Sequence, residues 1–437
     1  MPDDAPTLTV GVPKETAAGE SRVALVPKSL ASLSKANIQV IIESGAGQAA
    51  GFLDSEYSDK GAKVGSRSDA FGADIVVQVR GPGSNPEGGA DDIAMIRPDQ
   101  VLIGMANPLA NPEVASQLAK GKAMSFAMEL IPRITRAQSM DVLSSQANIG
   151  GYKAVLLAAE ALPKMFPMMT TAAGTVPPAK VFILGAGVAG LQAIATAKRL
   201  GAVVEAFDVR PEVKEQVMSL GAKFVEVALE TAEAAGTGGY AGKQSEEFLT
   251  RQREVMSKVV AASDVVITTA QVPGSKAPVL VTEEMAKGMS PGSVIVDMAA
   301  GQGGNVEPSR PDETVMLAGV TILGPTNLPS TVAANASTMY AKNISTFLLL
   351  LVKDGKITLN EEDEIIRETL MTKGQEVVHP RLREALGMAP VPLAEAPPVP
   401  EQTAGSAPSG AAAAQNGAAV KAVSPSTETN PPAGKVE

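Results

Sequence analysis

One stretch restricts this chain more than any other. Val181-Phe182-Ile183-Leu184 is an unbroken apolar run that passes directly into Gly185-Ala186-Gly187-Val188-Ala189-Gly190 and then into a helical pattern over residues 191–200. A buried strand, a Gly-x-Gly-x-x-Gly turn and a helix in that order predict a dinucleotide loop. Gly185 permits the tight turn, Gly187 lets the backbone approach a pyrophosphate, and Gly190 lets the helix pack closely on the strand. The short side chains of Ala186, Val188 and Ala189 keep the loop narrow, and the helix start supplies N–H donors and a favourable dipole. The next β-branched run, Val203–Phe207, leads into Asp208-Val209-Arg210. An acid at that strand end accepts hydrogen bonds from the adenosine ribose hydroxyls and repels a 2′-phosphate. NAD(H) rather than NADP(H) follows, with Arg210 as the one feature pointing the other way.

The rest of the chain alternates short strand patterns with helical ones, which predicts parallel α/β units. The first set of strands is Leu8–Val12, Ile38–Glu43, 75–79, Val101–Met105 and 124–128, with helices such as 29–36 and 112–120 between them. An Ala-rich stretch, 148–162, reads as a connecting helix. A second set follows at Lys180–Leu184, Val203–Phe207, 224–227, Val265–Thr268, Val294–Asp297 and Val320–Leu323. Residues 330–352 read as one long helix capped by Ser330 and returning to the first unit. The expectation is therefore two Rossmann-like doubly wound domains. The first is discontinuous (1–145 and 330–388), and the second (146–329) holds the nucleotide. Strand carboxyl ends line ligand crevices in such sheets. That places Ala270 and Gln271, in Thr268-Thr269-Ala270-Gln271, beside the ribose and nicotinamide, opposite the small-residue loop from Asp297 to Asn305. Residues 230–246 set four glycines around Tyr240, which predicts a flap closing over the nucleotide.

Composition then narrows the chemistry. There is no Cys and no Trp, and His379 is the only histidine. Disulfides, thiol chemistry, imidazole-dependent triads and imidazole or thiolate metal sites are excluded from the cleft, and no metal is expected. The formal net charge of −10 argues against nucleic acid as a partner. The acidic start lacks a secretory signal and no apolar run approaches bilayer length, so a cytoplasmic protein is expected. The final 49 residues, 389–437, hold nine Pro and thirteen Ala and no aromatic residue. They read as a disordered tether or, alternatively, a functionless tail.

Two segments carry a family resemblance. Gly11-Val12-Pro13-Lys14-Glu15, with Glu20-Ser21-Arg22-Val23-Ala24-Leu25-Val26-Pro27, resembles the opening shared by alanine dehydrogenase and the NAD-binding part of proton-translocating NAD(P) transhydrogenase. The run from Pro132 to Gln146 is similar to the transhydrogenase Arg–Gln–Asp loop, and 166–179 has the transhydrogenase form. The resemblance covers roughly residues 7–380. It implies that Arg133, Gln138, Asp141 and Ser144 order the nicotinamide end of the cleft, and that Tyr240 sits on a mobile loop. Alignment with alanine dehydrogenase keeps Arg22. It places Gln78, Asn107 and Gly301 where that enzyme family has Lys, His and Asp. Amino-acid oxidation needs proton transfer, whereas hydride passed from one nicotinamide to another needs only alignment and exclusion of water.

The resemblance implies a homodimeric NAD(H)-binding catalytic subunit, held at the membrane through partner subunits. With one nucleotide fingerprint and no membrane span in this chain, NADP(H) and the proton channel are expected on those partners. A stand-alone alanine or amino-acid dehydrogenase and a non-catalytic NADH-sensing module are the alternatives.

Overall fold

A computed structural model describes residues 8–226, 246–271 and 274–390. The expected flap with Tyr240 and all but the first two residues of the Pro/Ala tail lie outside the described residues.

Apolar, β-branched runs form two sheets. In the amino-terminal part the strands are β1 (Leu8–Val12), β2 (Ile38–Glu43), β3 (Lys63–Gly65), β4 (Ile75–Arg80), β5 (Val101–Met105) and β6 (Met124–Ala127). A small hairpin follows, β7 (Met169–Thr171) and β8 (Gly174–Val176). Next come β9 (Lys180–Leu184), β10 (Val203–Phe207), β11 (Lys223–Phe224), β12 (Val265–Thr268), β13 (Val294–Asp297), β14 (Thr314–Leu317) and β15 (Val320–Leu323). The series ends with β16 (Val352–Lys353), β17 (Lys356–Ile357), β18 (Leu370–Lys373) and β19 (Glu376–Val377).

The first sheet has the order β19-β18-β6-β5-β4-β1-β2-β3. Strands β1 to β6 are parallel, with Val10 opposite Val40 on one side and Ile75 on the other. Strand β18 joins antiparallel on β6, Leu370 opposite Phe126, so the chain's later residues complete a sheet begun at residue 8. The helix Ala333–Leu351 covers one face, where Phe347 meets Phe126 edge to face at 5.4 Å between ring centres. With so few aromatics, most of this core is Val, Ile, Leu and Ala.

The second sheet has the order β11-β10-β9-β12-β13-β15-β14 and is parallel except for β14. One face packs on the Ala-rich helices Val142–Ala161 and Val188–Arg199. The other buries Phe182, Leu184, Val266 and Ile295 beneath Met256 and Met285. The two helices approach closely because Gly151 has no side chain: a Cβ there would stand 2.0 Å from the Ala189 carbonyl oxygen.

Three local expectations need correction. The connecting helix begins at Val142, six residues before the predicted start, because Asp141 caps it by accepting the Ser144 N–H at 2.9 Å. The long return helix is preceded by a 3₁₀ run, Leu328–Val332, and starts at Ala333. Ser330 does not cap it; its hydroxyl accepts the Ser21 N–H and donates to the Gly19 carbonyl, tying in the first loop. Strand β11 ends at Phe224, short of the predicted span. The hairpin β7–β8 adds two strands to those the sequence pattern predicts, and all six of its residues are exposed. No helix among the described residues is long and apolar enough to cross a membrane.

Candidate functional site

The chain order places β9 at the centre of the second sheet. Strands β10 and β11 build outward on one side of it, and β12 and β13 on the other. A crevice opens at the carboxyl ends where the order reverses, and Gly185 lies there. Each glycine of the loop answers to a different constraint. Gly185 has φ +96°, in the left-handed region, and a Cβ would meet Thr269 Oγ1 at 2.6 Å. A Cβ on Gly190 would lie 1.8 Å from the Gly185 carbonyl oxygen, so this position joins helix to strand. Around Gly187 the only protein atom in reach of a Cβ, among the described residues, is Arg210 Nη2, at 3.8 Å. Protein packing therefore does not require Gly187, whereas a ligand lying against the backbone would. Gly187 is also the N-cap of Val188–Arg199, with no side chain closing the helix end.

Asp208 stands at the end of β10 and faces this loop. Its Oδ2 accepts the Ala186 N–H at 2.8 Å and Arg210 Nη2 at 2.9 Å. Its Oδ1 accepts the Arg210 N–H and Nε, both at 2.9 Å. Burial alone would raise this carboxyl; the Arg210 guanidinium and the two backbone donors outweigh it and hold Asp208 below the usual carboxylate range. Val209, between them, packs against the apolar face of the sheet.

The neighbouring strand end is held by a residue with no role in the sequence expectations. Asn305 is fully buried; its Oδ1 accepts the Ala270 N–H at 3.0 Å, and its Nδ2 donates to the Ala270 and Pro278 carbonyls. Asp297 in turn accepts Thr268 Oγ1 and the N–H groups of Ala299, Asn305 and Val306. Gln271 donates to the Met298 carbonyl at 2.6 Å and remains exposed. The loop from Asp297 is thus a scaffold for Ala270 and Gln271.

Opposite the glycine loop, Thr135–Met140 forms a 3₁₀ run anchored by buried Ala137 and Met140. Arg136 pairs with Asp363 at 2.6 Å, and Asn343 donates to the Ser139 carbonyl. A cleft of about 470 Å³ is lined by Gln138, Asp141 and Ser144 together with Val188 of the glycine loop. Asp141 accepts both the N–H and the hydroxyl of Ser144, the latter at 2.6 Å, so its carboxylate is fixed at the helix start. The Gln138 side chain is exposed at the cleft mouth. Arg133 is exposed and does not line this cleft. Lys342, from the return helix, does line it. Nothing local in a long helical pattern marks Lys342, because it arrives from some 200 residues away. A larger concavity, about 750 Å³, lies at the far end of the connecting helix around Lys164, Phe166 and Arg199. It holds none of the predicted residues.

The positions that distinguish an amino-acid dehydrogenase have other uses here. Gln78 is buried and donates to Asp92 at 2.8 Å, within a network that includes the Arg67–Asp92 ion pair. Asn107 has φ +48° and gives its N–H to Glu129. Gly301 is exposed, and a Cβ would touch Thr326 at 3.3 Å. Arg22 is buried, paired with Glu20 at 2.6 Å and bonded to Gln146 at 2.8 Å. The same Glu20 accepts Arg80 Nε at 3.0 Å and is held down at about 2, the two arginines outweighing its burial. Glu15 takes the Val79 and Arg80 N–H groups; burial and the nearby Glu20 push it up to about 8. His379 is buried beside the helix Pro380–Ala385, and burial lowers it.

Known proteins share this sequence and fold. Residues 11–150 match the family model described as alanine dehydrogenase/PNT, N-terminal domain, and residues 154–380 match alanine dehydrogenase/PNT, C-terminal domain. A protein of Rhodospirillum rubrum, named as the first portion of NAD(P) transhydrogenase subunit alpha, is 48% identical over 382 residues, covering 86% of this chain and 99% of its own. The crystal structure of transhydrogenase from Sinorhizobium meliloti superposes with a TM-score of 0.77 at 46% identity, over 85% of this chain and all of that one. An L-alanine dehydrogenase structure gives 0.73 at 29% identity, over 87% and 99%. With both family domains matched in order and a relative this similar along nearly its whole length, the chain belongs to the alanine dehydrogenase/PNT family.

Proposed function

We propose that this chain is the NAD(H)-binding catalytic subunit of a proton-translocating NAD(P) transhydrogenase, exchanging hydride with NADP(H) held on a partner subunit. The observation that carries the reading is the cleft in which Gln138, Asp141 and Ser144 meet Val188 of the glycine loop. The residues present fit NAD(H): a turn with room at Gly187, a helix end for the pyrophosphate, and an ionised Asp208 for the ribose. When bound, the nicotinamide supplies the hydride donor or acceptor carbon, and no proton moves at that carbon.

The chain's own residues then have three tasks. Gly185, Ala186, Gly187, Val188, Ala189 and Gly190 seat the pyrophosphate, with Asp208, Val209 and Arg210 at the ribose. Ala270 and Gln271, held by Asn305 and Met298, border the ring. Asp141 and Ser144, fixed to each other, and Gln138, free to turn toward the ring, align it and exclude water, with Arg133 at the approach; Tyr240, which lies outside the described residues, belongs to the same proposed nucleotide-binding set. Alignment of this kind needs no imidazole.

The same reading divides the chain into a discontinuous first domain, a nucleotide domain and a tether. It attaches the protein to the cytoplasmic side of the membrane through partner subunits, and it makes the protein a homodimer. Support for the dimer comes from hairpin β7–β8, since an isolated exposed two-stranded hairpin is marginal in water.

Reconstitution tests the proposal. The purified chain with the membrane and NADP(H)-binding subunits should restore NADPH-dependent reduction of an NAD analogue, and alanine plus NAD without partners should give no reduction. Gln138→Ala should lower the transhydrogenation rate at least tenfold, about 1.4 kcal/mol of alignment, while NADH affinity stays within about twofold. Equal loss of both would remove Gln138 from the reaction.

A further inference from the structure

The four donors on Asp208 leave its carboxylate full. A carboxylate offers about four acceptor positions. Here two are taken by backbone N–H groups, from Ala186 and Arg210, and two by the Arg210 side chain, Nε on Oδ1 and Nη2 on Oδ2, each at 2.9 Å. The guanidinium fork thus places one N–H on each oxygen, and a vicinal ribose diol placing one hydroxyl on each oxygen would need those same two positions. The fork also lies over the glycine loop: Nη2 is 3.8 Å from where a Gly187 side chain would begin. Both side chains are largely shielded, Asp208 at 7% and Arg210 at 15% exposure, so water screens the pair little.

Resting on the NAD(H) reading above, we propose that Arg210 is a built-in occupant of the adenosine-ribose subsite, holding the two hydrogen-bonding positions of the diol until a nucleotide displaces it. Binding therefore exchanges two charge-assisted hydrogen bonds for two others instead of adding two. The ribose contact selects the ligand while contributing little net affinity. A subunit that must release its dinucleotide each turnover gains speed from this exchange, since affinity differences among related complexes reside mainly in the off-rate. The occupant also keeps Asp208 ionised and solvated by protein when the site is empty.

The exchange predicts an unusual direction for a substitution in a binding site. Arg210→Ala should tighten NADH and adenosine 5′-monophosphate by roughly tenfold each, about the worth of one charge-assisted hydrogen bond no longer broken. Reduced nicotinamide mononucleotide, which lacks the adenosine ribose, should bind as before. Arg210→Lys, able to reach one oxygen but not to fork, should show a smaller gain and serves if the alanine variant does not fold. Titration calorimetry on the full chain, with circular dichroism to verify the fold, reads all three ligands. Unchanged or weaker NADH and adenosine monophosphate binding in a folded variant overturns the proposal. Failure of the unsubstituted chain to bind NADH overturns the cofactor reading, and this proposal with it.

Discussion

At the carboxyl edge of the first sheet, Glu20, Arg22, Arg80 and Gln146 fill one another's hydrogen-bonding capacity. At the corresponding edge of the second sheet, glycine, alanine and threonine leave the backbone uncovered; Asp297 is taken up by its own loop, and Asp208 is held by Arg210. Both edges are made of parallel strand ends. The first edge is closed by charge that satisfies itself, the second is kept open by side chains that are missing. A wall of the first kind is rigid and inert toward solutes. A wall of the second kind can accept a polyanionic ligand along its backbone.

The sharpest way to break this contrast is to remove the charge from the closed edge. Glu20→Ala leaves the Arg22 guanidinium, 3% exposed, without its counter-ion. Stability should fall by about 3–5 kcal/mol, the cost of stranding a buried charge, as read from denaturant unfolding. A loss below about 1 kcal/mol would mean that the network is surface-like. On the open edge, two glycines separate packing from binding. Gly190→Ala drives a Cβ into the Gly185 carbonyl and should cost about 2 kcal/mol in melting experiments. Gly187→Ala should leave the melting temperature within a degree or two, yet weaken NADH at least tenfold, because only a ligand competes for that space. Equal destabilisation by both would show that the loop is closed like its counterpart.

The smallest effect concerns pH. Glu129 is half-buried in the 3₁₀ turn after β6, its shielded Oε2 has no hydrogen-bond partner among the described residues, and loss of hydration pushes it from 4.5 up to about 7. Between those values the folded chain holds a proton that the unfolded chain has released. Its contribution is therefore complete below pH 4.5 and is lost as pH rises through about 7. Glu129→Gln removes the titration. The variant should gain on the parent by on the order of 1 kcal/mol from about pH 5 to about pH 8, measured as the difference in unfolding free energy. A constant difference would place Glu129 in contact with solvent.

What can be read from the sequence depends on where the relevant information lies. Val181–Leu184 and Val294–Val296 are apolar at every position, so their burial on both faces is written locally, as are the glycines that follow β9. Strand β14, Thr314–Leu317, half exposed at the sheet's antiparallel edge, has no such pattern and is not predicted. Nor are β18, whose place is set by pairing with β6 across more than 240 residues, and β19, which follows it as a hairpin partner. At the site, Gly187 and Asp208 are legible because the glycine turn and the acid ending the next strand form a local pattern at fixed spacing. Asn305 and Lys342 are not, because each acts on an element folded against it from elsewhere. Ser330 misleads for the same reason: a serine before a helix predicts a cap, but Ser21 and Gly19 claim its hydroxyl first.

The seam between β6 and β18 also sets an order of assembly during synthesis. Ser125 and Thr372 share a buried hydrogen bond at 2.6 Å, and Thr372 also donates to the Ala123 carbonyl. Until residue 370 has left the ribosome, β6 is an unpaired edge, and until 333–351 has followed the nucleotide region, one face of the first sheet lacks its helix. The strands of the second sheet, all within 180–323, are available before either. The half of the molecule made first is thus finished last, and the growing chain carries an open apolar edge through most of its translation, the kind of exposure that chaperones exist to shield.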